Sequence, residues 1–316
     1  MTGNTEFRNE METKSRVERR LPLSGIALVL RRSLRGRSVW RDLIWAAAIV
    51  CGLLAAGAFL QAKWAPANFY NGGAPGFLLR WLTLGSLGAV FVMLPLAAVL
   101  GALASPSTEE MEAVQSALLT RLSAFDIGVG RSLASLSPLW WVLLISVSFW
   151  TVAQALLHFV PGAWHGFAPI LCVHCVLVAA IWMIGSIAYL CALRLPHSAK
   201  RTGTGGRSGR SWGRGTGIAL VWTVFCLTLL FLVNPQIRAA KNPQRLIEGT
   251  LLLNPAAAVA TALDFDILRT EWLYERTEAP EYLFVYPNPL ASTVLFALLG
   301  ITAQAFAAIV LRRSYG

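Results

Sequence analysis

The densest set of reactive side chains in the sequence is Cys172-Val173-His174-Cys175. Two thiols and an imidazole form a donor set suited to a soft metal such as copper. The same residues also have a packing reading. Cys172 and Cys175 stand three apart in an apolar run, where small side chains let helices approach. The order is not the Cys-x-x-Cys-His of haem attachment. His174 is the one ionisable side chain well inside an apolar run, and such residues are functional candidates. Metal handling and an interhelical hydrogen bond from His174 both stay open.

Other chemistry finds less material. Gly85-Ser86-Leu87-Gly88 places a serine between glycines, but not in the order of a nucleophile elbow. Those glycines fit close helix packing better. His158 and His165 flank a short loop and have no evident serine partner. Gly209-Arg210-Ser211 hints at a phosphate loop, yet Arg210 stands where Lys is required and Thr204 where the first glycine belongs. Without a nucleotide loop or a catalytic constellation, the chain is expected not to be an enzyme. No catalytic, cofactor-binding or resident metal residue is assigned to it.

The elements that hold these residues follow from composition. Of 316 residues 56% are hydrophobic and 14% charged, against about 25% charged in soluble domains. Six apolar runs approach or exceed the roughly 20 residues that a helix needs to cross a bilayer. They are Leu43–Ala62, Leu78–Leu103, Leu133–Leu157, Phe167–Leu193, Gly217–Val233 and Pro289–Leu311. Arg80 lies at an edge; the interiors carry no Lys, Arg, Asp or Glu. A charge at mid-bilayer costs about 2.5–3.5 kcal/mol on insertion scales. The expectation is an all-α polytopic membrane protein with six transmembrane helices. Cys51, Cys172, Cys175, Cys191 and Cys226 all fall in apolar runs, where a buried, unpaired thiol is the default.

Charge gives the orientation. The net charge is +11, with 27 Lys and Arg. Twenty of these fall before the first run, after the second, after the fourth and after the sixth; seven fall on the other side. The positive-inside rule then places both termini in the cytoplasm. Because the basic residues cluster between apolar runs, anionic lipid is a better partner than nucleic acid. Residues 1–42 read as a cytoplasmic basic tail. It includes a basic amphipathic stretch at Leu21–Arg37, either an interfacial helix or a solvated tail. Residues 43–312 form the membrane domain, with an uncleaved first helix as anchor. Within it, 196–216 is a flexible basic loop rich in Gly, Ser and Arg. The external segment 234–288 is too long to lack structure. Asn254-Pro255 there is an N-cap and first-turn pair that should start a short outer helix between spans five and six.

Between spans two and three, Ser107-Thr108-Glu109-Glu110 fits a capping box. Met111, Val114, Leu118, Leu119 and Leu122 follow at helical spacing, with Glu109 and Glu112 on other faces. This cytoplasmic helix is acidic at its start, so a protein groove suits it better than lipid headgroups.

The run from Glu112 to Arg131 resembles the first cytoplasmic loop of ABC-2 type transporter permeases. Leu118, Leu119, Ser123, Ile127, Gly130 and Arg131 match the pattern; Arg121 stands where proline is usual. The six-span layout with both termini inside, the basic helix before span one and the long outer segment are also similar. The resemblance implies a coupling helix over Ser107–Leu122, seated on a separate ATPase subunit that holds ATP and Mg. Glu109, Glu112, Leu118, Leu119, Arg121, Ser123, Asp126, Gly130 and Arg131 would form the coupling site. It further implies a second permease copy or a related permease, and a place in the cytoplasmic (inner) membrane. The chain would then be the permease subunit of an ATP-driven exporter. The other reading is a six-span membrane scaffold or membrane enzyme, including a copper-handling role through Cys172, His174 and Cys175.

Overall fold

Apolar runs with few helix breakers leave the backbone one local way to satisfy its polar groups, and the chain takes it. The computed structural model describes residues 23–34, 39–64, 73–106, 108–119, 122–157, 167–193, 251–263 and 288–315, with single positions 217, 218, 221 and 249. Side chains within some helical stretches fall outside this description. The described residues form helices joined by turns, with no strand among them. In chain order these are α1 (Leu23–Leu34), α2 (Val39–Trp64), α3 (Gly73–Leu103), α4 (Thr108–Leu118) and α5 (Ala124–Ser135). They continue with α6 (Ser137–Leu157), α7 (Ala168–Leu193), α8 (Pro255–Ala262) and α9 (Pro289–Tyr315).

Helix α7 is the axis of the bundle. It buries Val173, Val176, Ala180, Ile181, Ile184, Ala188 and Tyr189, and it packs along α9 on one side and α3 on another. Two contacts need glycine. A methyl group on Gly101 of α3 would run into the backbone carbonyl of Gly185 on α7. One on Gly300 of α9 would strike the Trp182 ring. A helical glycine costs about 1 kcal/mol against alanine, and here the backbone approach offsets that cost with close van der Waals contact. One polar tie crosses the same core: Gln304 Nε2 of α9 donates to Ser186 Oγ of α7 at 3.0 Å.

Three helices are long and apolar enough to cross a membrane: Gly85–Leu103 within α3, α7, and Pro289–Arg313 within α9. A fourth crossing exists if α5 and α6 act as one bent span. These counts concern the described residues. The protein is therefore helical and equipped to sit in a membrane. The run Gly217–Val233 lies outside the described residues except for 217, 218 and 221, as do residues 1–22 and 194–216.

The third apolar run is not one straight helix. It breaks at Leu136, and α5 and α6 meet at 56°. The cause is Pro138, two residues into α6. Proline has no N–H and disfavours helical geometry in the residue before it. Pro138 has no amide to give the Ala134 carbonyl four residues back, while the Leu136 amide keeps the regular helical bond to the Ser132 carbonyl at 3.2 Å. Hydropathy is continuous across the break, so an apolar window joins what the backbone separates.

Helix α8 begins where Asn254-Pro255 places it. Asn254 Oδ1 accepts from the amides of Ala256 and Ala257 at 2.8 and 3.3 Å. Eight residues are too few to span a bilayer. Its small side chains from Pro255 to Ala260 are buried against α7, α3 and α9, so α8 lies in the bundle rather than on its surface.

Candidate functional site

At one end of the bundle the chain leaves α3, makes α4, turns, and enters α5. The turn is closed by a capping box. Asp126 N–H donates to Ser123 Oγ at 3.0 Å, and Ser123 N–H donates to Asp126 Oδ2 at 3.2 Å. The Ser123 hydroxyl also donates to that carboxylate oxygen at 2.7 Å. Two orphan amides of a helix start are thereby satisfied together. Ser123 and Asp126 act in this structure as the N-terminal cap of α5.

Arg131, two turns further along α5, joins three elements. Its Nε donates to the carbonyl of Ala104, just beyond the end of α3, at 3.1 Å. Its Nη2 donates to Glu110 Oε2 of α4 at 2.6 Å. A guanidinium can do both because its donors form a rigid, planar fork. Gly130 beside it permits the approach of α1: a methyl there would come 2.7 Å from Val29 Cβ and 3.2 Å from the Ile26 carbonyl. Asp126 in turn packs against Gly25 of α1. So α1, the end of α3, α4 and α5 form one corner, with Arg131 at its centre.

The remaining sequence-predicted residues distribute as follows. Glu109 and Glu112 lie on α4, but their side chains are outside the described residues, as are Ser107 and Arg121. Of the apolar stripe, Val114 is buried and Leu118 half-buried. Leu119 is 90% exposed, because α4 ends at Leu118 and the stripe does not carry past its last turn. Glu110 and Ala104 are the partners that spacing alone does not find. Spacing assigns Glu110 to a capping box with Ser107, a residue outside the described ones. Its salt bridge spans 21 residues, and the only trace in the sequence is an isolated Arg where an apolar span begins.

A second polar spot lies in an apolar cavity between α2, α3, α6 and α7, whose walls include Val50, Met93, Val142 and Leu177. His174 sits there. Its Nδ1 lies 2.7 Å from the Ile170 carbonyl, which only accepts, so Nδ1 carries the proton. Its Nε2 meets Ser146 Oγ of α6 at 2.7 Å. Both ring nitrogens are thus engaged, one across helices. Cys172 and Cys175 are half-buried free thiols on the same helix. Among the described residues no three His, Cys, Asp or Glu side chains converge as a metal site. At the far end of α6, Ser137 Oγ donates to the buried Asp42 Oδ2 of α2 at 3.1 Å.

No known family, curated protein or solved structure matches the chain.

Proposed function

We propose that the chain is the membrane-spanning permease subunit of an ATP-driven ABC-2 type exporter. In this reading six helices span a cytoplasmic membrane with both termini inside, and α4 is the coupling helix. A separate ATPase subunit, holding ATP and Mg, grips α4. The observation that carries the reading is Arg131, which ties α4 to α5 and to the end of α3. A coupling helix must pass a push to the membrane helices, and a half-buried fork bridging all three elements is a direct mechanical link. The interiors of the apolar runs are charge-free, and the buried carboxylate among the described residues, Asp42, sits in the first turn of α2 and is bonded to Ser137. That suits an amphiphilic or apolar cargo better than an ion, which would need a carboxylate well inside the membrane. A pair of such chains, or one with a related permease, would form the pathway.

The test is co-purification of the chain with an ATPase. Glu112→Arg, on α4, should release that ATPase while the bundle stays folded by circular dichroism. An ATPase that stays bound and stimulated after residues 108–118 are replaced by a Gly-Ser linker would sink the proposal. No observation favours the scaffold or copper-handling reading over this one.

A further inference from the structure

The corner around Arg131 encloses space. A cavity of about 440 Å³ opens between α1, α4 and α5, with walls of mixed character. Among the described residues its charged ones are Arg32, Glu110 and Arg131, and its apolar ones include Leu28, Leu103 and Ile127. The charges of these described residues do not balance. Glu110 is bound to Arg131, which leaves the Arg32 guanidinium, with no ion pair among the described residues, as the surplus cation. Leu28 and Arg32 stand four apart on α1, so they share one face, with the aliphatic side chain one turn from the cation. Leu28 and Leu103 are both exposed large apolar residues.

We infer that this cavity holds the phosphate headgroup of an anionic membrane phospholipid. Arg32 receives the phosphate, and Leu28 and Leu103 line the path of the acyl chains. A soluble phosphate would gain nothing from the two leucines, and a zwitterionic lipid would bring a second cation beside Arg32. Charge complementarity and an apolar mouth together select the anionic lipid. The inference requires only that the helices lie in a membrane. It does not depend on ATPase coupling, and α1 becomes a lipid-reading element packed directly on α5.

The experiment is native mass spectrometry of the full chain in detergent, titrated with phosphatidylglycerol or phosphatidylcholine. Retention of phosphatidylglycerol is expected to exceed that of phosphatidylcholine by about five-fold, the effect of one arginine near a lipid surface. Arg32→Ala should abolish that preference. Arg31→Ala should leave it, because Arg31 is exposed on α1 but does not line the cavity. Ser33→Trp, which fills the cavity without changing charge, should also remove it. Equal retention of the two lipids would overturn the inference, as would equal losses in the two arginine variants. Displacement of the lipid by a large excess of inorganic phosphate would overturn it too, by marking a free-phosphate site. Arg32 is exposed, so its variant should fold and keep the comparison valid.

Discussion

Glu110 and Arg131 meet at 2.6 Å across a turn that separates two helices, and the same guanidinium holds the Ala104 carbonyl. The carboxylate is half exposed and the guanidinium is not, with side-chain exposures of 52% and 19%. Solvent therefore weakens the ion pair, while the bond to the carbonyl is better sheltered.

Arg131→Met should free α4 from α5. The expected cost is about 1 kcal/mol for a partly exposed pair. The sharper readout is local: amide hydrogen exchange across Thr108–Leu118 should accelerate by about five-fold while α7 stays protected. Unchanged exchange in α4 would mean that other contacts hold that helix in place.

The crossing of α3 and α7 should tolerate no side chain. Gly101→Ala forces the two backbones apart and should destabilise the bundle by about 1–3 kcal/mol, measured by denaturant titration in detergent. A methyl group on Gly52 of α2 would meet nothing within 4 Å. Gly52→Ala should therefore be neutral or add up to about 1 kcal/mol through helix propensity alone. If both substitutions behave alike, close approach is not what holds this interface.

Asn254 is fully buried, and its Nδ2 finds no partner among the described residues while Oδ1 caps α8. Asn254→Ala should cost about 1–2 kcal/mol, the loss of a good N-cap. Asn254→Ser keeps an acceptor and discards the orphan donor, so it should fall within about 0.5 kcal/mol of the parent. Thermal unfolding in detergent ranks the three, and an alanine variant as stable as the serine one would refute the capping role.

The Ser146–His174 contact joins α6 to α7. Interhelical hydrogen bonds in membranes average about 0.6 kcal/mol, with a maximum near 1.7. Ser146→Ala should lie in that range. Combined with His174→Phe it should add almost nothing, because the partner is already gone. A strictly additive double variant would show that the 2.7 Å contact contributes no coupling.

What the sequence discloses and what it hides divide along range. The Asn254-Pro255 pair announces α8 because a cap and its helix lie within four residues. Long apolar runs mark α3, α7 and α9 because lipid demands length and lack of charge. The break at Leu136 has a local sign in Pro138, but unbroken hydropathy outweighs it. Ser123 and Asp126 carry a capping spacing as clear as that of Ser107 and Glu110, yet the loop pattern around them masks it. Glu110 with Arg131, and Ser146 with His174, lie 21 and 28 residues apart. No local rule places such pairs together; only the packing of α4 on α5 and of α6 on α7 does.

The bend at Leu136 gives α5 the proportions of a crank. Twelve residues at about 1.5 Å each make an arm of about 18 Å, so a swing of about 10° at the joint displaces its Ser123 tip by about 3 Å. Because Pro138 supplies no amide across the joint, the swing has one regular backbone bond fewer to strain there. Motion applied at the rim of the molecule would arrive in its interior as rotation about a single hinge.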